Sequence, residues 1–204
     1  MLTLYYAPFT CALATHIALE EAGAAYETVR IDFRSNQQRS ADYLAVNPKG
    51  RVPALATSQG MLSETPALLA YVAQSFPDAR LAPLDPFGFA QMQAFNSYLC
   101  STVHVAHAHK VRGGRWADDE AAFESMRRKV PQSMGEAFAL IEQGMLKGPW
   151  VLGETYSVCD PYLFTLATWL EGDGVDVARL PRVLEHRARV AERAATQRAL
   201  AAQS

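Results

Sequence analysis

The stretch Arg51-Val52-Pro53, taken together with Ser63-Glu64-Thr65-Pro66, decides the fold that this sequence predicts. A proline directly after an apolar residue, at the start of a short strand, favours a cis peptide bond between Val52 and Pro53. Such a bond turns the backbone outward, so we expect the N–H and C=O groups of Val52 to face a ligand. The second motif puts a carboxylate and a hydroxyl at the start of a helix. Together the motifs predict a binding site for a small extended peptide that carries an amine and a carboxylate.

Composition excludes several classes of protein. The chain has 204 residues, of which 50% are apolar and 20% charged, with a formal net charge of −2. This length allows one large domain or two small ones, each with a core of its own. The chain has no excess of basic residues, which argues against binding to nucleic acid. No apolar stretch is long enough to cross a bilayer.

The cysteines and the first residues predict where the protein works. Cys11, Cys100 and Cys159 are widely spaced and odd in number, and no CxxC motif occurs. This pattern argues against a disulfide scaffold or a zinc site and favours a reducing compartment. Residues 1–15 lack the basic start and apolar run of a signal peptide. We therefore expect a cytoplasmic protein.

Residues 1–76 alternate between strand-like and helix-like stretches. Thr10 is a suitable cap for a helix that ends at Gly23. A later helix has Thr65 as N-cap and Pro66 at its first position, and it stops at Pro77. Strands are predicted at 2–6, 26–33, 52–56 and 61–62, and a short helix at 42–44. The resulting order, βαβαββα, is a thioredoxin-like pattern.

The rest of the chain reads as helical. Residues 78–86 are predicted to link a domain at 1–77 to an all-helical domain at 87–204. Helices are predicted at about 87–112, 118–130, 132–146, 157–171 and 181–201, with breaks at glycines and at Pro131. Ser157 and Asp160 fit a capping box, to which we assign a structural role. The fold class is thus an α/β thioredoxin-like domain followed by an all-α domain.

Cys11 has two interpretations. It follows the predicted helix cap, where unpaired N–H groups and the helix dipole stabilise a thiolate. The functional interpretation is a thiol of low pKa beside a bound thiol ligand. The alternative is a small buried cysteine that only fills space. With no second cysteine nearby, Cys11 is limited to a mixed disulfide with an external thiol.

Glu64 and Thr65 lie between a strand and a helix. Glu64 is suited to bind a ligand ammonium, and the Thr65 hydroxyl with the first N–H groups of the helix is suited to a carboxylate. Plain helix capping is the alternative. The position of Val52-Pro53 upstream favours the functional interpretation.

Three histidines, His104, His107 and His109, lie on one predicted helix. His104 and His107 are three residues apart and are expected to share a face. No acidic or cysteine ligand completes a metal site, so we expect no metal and favour the polar wall of a substrate pocket. Solvent exposure is the simpler interpretation for His109 and the basic residues after it. Tyr5, at the end of the first strand, either donates to a thiolate or packs its ring.

The chain resembles the glutathione transferases, and most closely their bacterial beta class, over nearly its whole length. The resemblance is carried by residues 5–19, by Asp160-Pro161-Tyr162-Leu163-Phe164 and, most specifically, by residues 42–55, which contain Asn47-Pro48-Lys49-Gly50. The chain departs from the beta-class pattern near the sulfur site, with Val105 in place of a lysine and Phe9-Thr10 in place of glycine-alanine.

The resemblance implies a set of roles for these residues. Val52, beside cis-Pro53 and Arg51, would hold the cysteinyl part of glutathione, and Glu64 and Thr65 would hold its γ-glutamyl end. Arg34 is the nearest candidate for the glycyl carboxylate. Cys11 and His104 would border the sulfur. A homodimer is also implied.

The predicted function is the addition of the glutathione thiolate to a small hydrophobic electrophile. Glutathione is then a co-substrate, and no cofactor is expected. The residues predicted to stabilise the thiolate are Cys11, Thr10, Tyr5 and His104. Two alternatives stay open: a glutathione-dependent reductase that uses Cys11, and a non-catalytic binder of glutathione or apolar ligands. The predicted walls of the electrophile pocket are Tyr98, His107, Val111 and Trp116.

Overall fold

A computed structural model describes residues 1–203. The N-terminal part of the chain contains a four-stranded sheet. The spatial order is β2-β1-β3-β4; β1 pairs in parallel with β2 and antiparallel with β3, and β3 and β4 form a hairpin. The element order confirms the βαβαββα prediction. The elements are β1 (Leu2–Tyr6), α1 (Ala12–Glu21), β2 (Tyr26–Arg30), α2 (Ala41–Val46), β3 (Ala54–Thr57), β4 (Gly60–Ser63) and α3 (Thr65–Ser75).

Helices make up the second part of the chain. Residues 1–203 contain two π-helical turns. Leu99–Val103 joins the helices α4 and α5 defined below, and Ile141–Met145 follows α6. Short 3₁₀ turns occur at Gln37–Arg39, Pro77–Ala79, Gly113–Arg115 and Val177–Arg179. The helices are α4 (Pro86–Tyr98), α5 (His104–Ala108), α6 (Glu120–Leu140), α7 (Cys159–Ala167), α8 (Pro181–Ala191) and α9 (Ala194–Gln203). Within residues 1–203, no helix combines the length and the apolar character needed to cross a membrane.

Helix α1 is buried on every side because it packs between the sheet and the helical part. All residues from Ala12 to Leu19 are buried. A small cluster ties α1 to α7, α8 and α9; its members are Leu13, Ile17, Phe164, Val190 and Ala199. As predicted, the helix stops before Gly23, whose φ of 63° suits a residue without a side chain. The start of α1, which carries Cys11, is therefore held rigidly.

Two predicted helix boundaries are wrong for tertiary reasons. Helix α6 continues through Pro131, because Val130 and Met134 on either side are fully buried in the core. Burial of this face outweighs the one backbone hydrogen bond that proline cannot make. Conversely, the predicted helix 181–201 divides after α8, where Arg193 turns to bind Glu21 of α1.

Other boundaries shift by a few residues. Thr65 is the first residue of α3 rather than its cap, since Glu64 takes the N-cap position. The predicted linker contains the turn Pro77–Ala79, and α4 begins inside it at Pro86, with the Asp85 side chain accepting from the Gly88 N–H at 2.7 Å.

The predicted capping box is present and belongs to a larger buried network. The Asp160 carboxylate accepts from the Ser157 N–H at 2.7 Å and from the Val151 N–H at 2.8 Å, and it lies 2.9 Å from His186 Nε2. The Ser157 hydroxyl in turn accepts from the Cys159 N–H at 3.3 Å. The network is buried away from the cavity described below, so its role is to fix the start of α7.

Candidate active site

A cavity of about 720 Å³ lies between the sheet-containing part and the helical part of the chain. It brings together most of the residues that the sequence singled out, although they come from four separate stretches. Those that line it are Thr10, Cys11, Arg51, Val52, Pro53, Glu64, Thr65, His104, His107, Val111 and Trp116.

The loop before β3 forms one wall with its backbone. The peptide bond between Val52 and Pro53 is cis, as predicted. The Arg51 carbonyl accepts hydrogen bonds from the Tyr43 hydroxyl and the Asn47 side-chain amide, both at 2.7 Å. Because Tyr43 and Asn47 are themselves buried, these bonds fix the direction in which the Val52 backbone faces the cavity.

Two non-glycine residues at the cavity have left-handed backbone conformations. Glu64 has a φ of 75° and Phe9 a φ of 61°. Such conformations cost about 1–2 kcal/mol each and occur at functional sites. The turn at Glu64 joins β4 to α3 and places the residue at the N-terminus of that helix. Phe9 leaves its ring 91% exposed at the mouth of the cavity.

The Glu64 carboxylate already has a partner. Lys49 Nζ lies 2.5 Å from Glu64 Oε1 and donates to the Ser63 hydroxyl at 2.6 Å. Both charged side chains are largely exposed, and an exposed pair of this kind contributes only about 0–1 kcal/mol. A ligand ammonium therefore faces little competition for Glu64.

Of the two interpretations of Cys11, the structure argues against a thiol of low pKa and favours a buried cysteine. The residue is 7% exposed, and burial raises the pKa of its thiol from 9.0 to about 11, outweighing the hydrogen bond from Thr65 and the charge of Arg112. The thiol donates to the Val52 carbonyl at a sulfur–oxygen distance of 3.6 Å. At neutral pH Cys11 is a protonated donor and not a thiolate.

Thr10 is committed to the backbone around it. Its hydroxyl donates to the Ala7 carbonyl at 2.7 Å and accepts from the Ala12 N–H at 3.3 Å. The N-cap position of α1 belongs to Cys11, one residue after the predicted cap, although Thr10 accepts from the N–H of the first helical residue. The bond to the Ala7 carbonyl leaves the hydroxyl proton of Thr10 occupied.

His104 follows directly on the π-helical turn Leu99–Val103, a feature common at functional sites. Its ring lies 5.2 Å from that of Trp169 and 6.4 Å from that of His107, so the two histidines share a face as expected. Burial, followed by the charge of Arg112 and other nearby basic groups, lowers the pKa of His104 to about 4. The imidazole is therefore neutral at physiological pH.

His107 is oriented by a carboxylate that sequence reasoning did not find. Its Nδ1 lies 2.6 Å from Asp173 Oδ2, and its ring stacks on Trp169 at 4.1 Å. Asp173 is 3% exposed, and its other oxygen lies 3.3 Å from Lys110 Nζ. Because a carboxylate only accepts, His107 Nδ1 carries a proton and donates it to Asp173. The sequence offered only Gly172-Asp173-Gly174, which was interpreted as a helix break.

Arginines from distant parts of the chain also line the cavity. Arg39 follows the loop after β2, while Arg112 and Arg115 follow α5. The sequence interpretation left Arg112 and Arg115 to solvent and did not consider Arg39. The spacing of these arginines in the sequence does not indicate that they line the same cavity as Arg51.

Three predicted site residues lie elsewhere in the described part of the chain. Tyr5 packs its ring 5.9 Å from that of Tyr43, which corresponds to the packing alternative. Arg34 lies in the exposed loop after β2 and is not part of the cavity lining, whereas Arg39 is. The Tyr98 hydroxyl donates to the Ala137 carbonyl at 3.0 Å, so this side chain faces α6 and not the cavity.

Comparisons with known proteins agree with this geometry. Residues 1–74 match the family model described as glutathione S-transferase, N-terminal domain. A curated relative, glutathione S-transferase GstA of Escherichia coli O157:H7, is 30% identical over 98% of each chain.

Solved structures extend the likeness to the whole chain. A glutathione transferase homologue from Sulfitobacter, solved with bound glutathione, has a TM-score of 0.94 and 49% identity, covering 97% of this chain and 96% of its own. A beta-class glutathione S-transferase of Sphingomonas chungbukensis has a TM-score of 0.86 and 31% identity, covering 99% and 98%. The chain therefore belongs to the glutathione S-transferase family, with a thioredoxin-like N-terminal domain and a helical C-terminal region.

Proposed function

We propose that this protein is a glutathione transferase that joins the glutathione sulfur to a small electrophile. One observation carries the proposal: Cys11, the Val52–Pro53 loop and the Glu64–Thr65 turn line one wall of a single cavity. The similar Sulfitobacter structure contains glutathione, which supports the same ligand for this wall.

Glutathione would bind along this wall in an extended form. The Val52 backbone would pair with the cysteinyl unit, and Glu64 would bind the γ-glutamyl ammonium. The γ-glutamyl carboxylate would bind the Thr65 hydroxyl and the first N–H groups of α3. Arg39 or Arg51 would take the glycyl carboxylate, in place of Arg34.

The chemical work is to lower the pKa of the glutathione thiol and to orient the sulfur. Lowering it by about two units requires roughly 3 kcal/mol, which two or three directed hydrogen bonds supply. The Thr10 hydroxyl is held by a short bond to the Ala7 carbonyl, and Tyr5 lies outside the cavity lining. The Cys11 S–H makes only a weak bond to the Val52 carbonyl, which a bond to the glutathione thiolate would replace. The best donors are therefore the Cys11 S–H and the neutral His104 ring. The thiol proton leaves to solvent. The sulfur then forms a bond to carbon while the leaving group departs with its electron pair.

The raised pKa of Cys11 argues against the reductase alternative. A nucleophilic cysteine attacks as the thiolate, and a pKa of about 11 leaves very little thiolate at neutral pH. A protonated thiol suits the role of a donor to the glutathione sulfur. Replacement of Cys11 by Ala should therefore weaken conjugation without abolishing it.

The proposal is tested by calorimetric titration of glutathione into the wild-type protein, Glu64→Ala and a control, Glu154→Ala. Glu154 is exposed and lies outside the cavity lining. Since a hydrogen bond to a charged group contributes about 1.5–3 kcal/mol, Glu64→Ala should weaken binding about 10- to 100-fold. The control should bind like the wild type.

Two results would overturn the proposal. Absence of glutathione binding to the wild type would remove the co-substrate. If glutathione binds but no electrophile of a panel reacts faster than in the uncatalysed reaction, the protein is a non-catalytic binder of glutathione.

We also propose a homodimer that works in the cytoplasm. The family resemblance and the absence of paired cysteines among residues 1–203 support this. Light scattering coupled to gel filtration should give twice the mass of the 22.4 kDa chain. A mass of one chain at micromolar concentration would contradict the dimer.

A further inference from the structure

The charges around the cavity are strongly unbalanced. Four arginines line it, Arg39, Arg51, Arg112 and Arg115, against one acidic residue, Glu64. Glu64 pairs with Lys49, and the nearby Lys110 pairs with Asp173. The excess is local, because the whole chain has a net charge of −2.

Among the described residues the cavity arginines have no acidic partner, although they lie together in one cavity and not apart on the surface. Within residues 1–203, none of the four lies in ion-pair distance of an acidic side chain. By contrast, most arginines of the helical part have a carboxylate partner: Arg127, Arg128, Arg187, Arg189, Arg193 and Arg198. Burial and repulsion from Arg112, Arg51 and Arg39 lower the pKa of Arg115 to about 10. Like charges that line one cavity without acidic partners repel one another, so the cavity favours an anion.

The four arginines come from both parts of the chain. Arg39 and Arg51 belong to the N-terminal part, along which glutathione would lie, and one of them is enough for its glycyl carboxylate. Arg112 and Arg115 belong to the helical part, beside Val111 and Trp116. The second substrate would therefore meet two arginines next to an apolar and an aromatic side chain.

We propose that the second substrate is a small electrophile with an apolar or aromatic body and a carboxylate, and that Arg112 and Arg115 bind this carboxylate. The inference rests on the proposed glutathione transferase function and names its substrate class. Guanidinium groups bind carboxylates through paired hydrogen bonds. The sequence prediction of a small hydrophobic electrophile is thereby changed to one that also carries a carboxylate.

A matched pair of substrates tests the proposal: 4-chloro-3-nitrobenzoate and 4-chloro-3-nitrobenzamide. In both, the glutathione sulfur forms a bond to the ring carbon, chloride leaves with the bonding electrons, and the thiol proton goes to solvent. The quantity compared is kcat/KM for each substrate divided by its own uncatalysed rate constant. The wild type should prefer the benzoate by about tenfold or more, which corresponds to about 1.4 kcal/mol.

Variants test whether Arg112 and Arg115, on the wall formed by the helical part, cause the preference for the benzoate. In the double variant Arg112→Gln, Arg115→Gln the ratio should fall to about one, while the affinity for glutathione stays within about twofold of the wild type. The control Arg179→Gln changes an exposed arginine that lies outside the cavity lining, and it should keep the full preference. Near-UV circular dichroism checks that the double variant is folded.

A binding measurement separates this inference from the proposed function. Trp116 and Trp169 line the cavity, so 4-nitrobenzoate and 4-nitrobenzamide should quench tryptophan fluorescence on binding, with or without turnover. Tighter binding of the benzoate, lost in the double variant, supports the anion site even if no electrophile is conjugated. Equal binding and equal turnover of the acid and the amide would overturn the inference and leave a glutathione transferase of neutral substrates. Loss of glutathione binding in the double variant, with the benzoate preference kept, would assign both arginines to glutathione.

Discussion

The N-terminal part of the cavity lining contains a fixed backbone loop, Val52–Pro53, and the start of α3, besides the side chains of Arg39 and Arg51. The helical part contributes mainly side chains, among them those of Arg112, Arg115 and Trp116. The Val52–Pro53 loop is fixed by buried hydrogen bonds to the Arg51 carbonyl, and Thr65 is fixed by its place at the start of α3. Arg112 and Arg115 follow the short helix α5, in a segment with a single 3₁₀ turn. A wall made of backbone retains its ligand when side chains change. A wall made of side chains can be altered residue by residue, so under the proposed function we expect it to set the choice of electrophile.

The largest expected effect concerns Cys11, on the N-terminal wall. A pKa of about 11 instead of 9.0 reduces the thiolate fraction at pH 7.5 about 100-fold. Iodoacetamide should therefore label native Cys11 at least about 100-fold more slowly than the same residue in urea, as measured by peptide mass spectrometry. Rapid labelling of native Cys11 would show a thiolate and bring back the reductase alternative.

The neutral His104 predicts a pH effect on stability. Its pKa is about 4 in the folded protein and 6.5 in the unfolded chain, so between these values the unfolded state binds the extra proton. The contribution of the neutral His104 to the free energy of unfolding is fully present above about pH 6.5 and is lost as the pH falls toward 4. At pH 5 the loss from this one group is about 2 kcal/mol.

Urea denaturation at pH 7.5 and pH 5 checks this effect. His104→Gln should lose about 2 kcal/mol less than the wild type between the two values. In the double variant Arg112→Gln, Arg115→Gln the loss of unfolding free energy between the two pH values should be intermediate. Burial is the main cause of the low pKa of His104, and the charges of these two arginines add to it. Equal losses in the wild type and His104→Gln would contradict the assignment.

Thr65→Val sharpens the contrast from the N-terminal side. The change preserves shape and removes a hydroxyl that would bind a carboxylate, so glutathione affinity should fall about tenfold. The benzoate-to-benzamide ratio should not change. Thr28→Val, on an exposed position of β2, is the matched control and should leave both quantities unaltered. A changed ratio in Thr65→Val would show that the two walls are not independent.

The smallest expected effect concerns Asp173→Asn on the helical side. Asparagine still accepts a hydrogen bond from His107, but it removes the negative charge that faces His107 and Lys110. We expect a few-fold fall in kcat/KM for the electrophile and unchanged calorimetric affinity for glutathione. An equal fall in both would indicate a general loss of structure rather than a role at the electrophile.

Much of the N-terminal wall could be predicted from the sequence because its signals are local. A proline after Val52, a glycine at 23 and the Glu64-Thr65-Pro66 run restrict the backbone where they occur. Helix ends in the second part were predicted less well. Pro131 is locally a helix breaker, yet the buried neighbours Val130 and Met134 keep the helix intact.

The helical wall was predicted less completely because its features join residues that are far apart in the chain. His107 and Asp173 are separated by 66 positions, and Arg39 meets Arg115 only after the two parts of the chain pack together. No periodicity or spacing records such pairs. Tyr98 is turned to α6 by its bond to the Ala137 carbonyl, and Arg34, suggested by the family resemblance, lies in an exposed loop outside the cavity lining.

The sequence by itself determined the order of elements, the cis-proline loop and the helix start that carries Glu64 and Thr65, because each depends on a few neighbouring residues. Only the tertiary structure decided that Cys11 is a protonated thiol, that His104 is neutral and that four arginines share one cavity. Protonation and charge crowding depend on burial and on distances between remote side chains, and these exist only once the chain has folded.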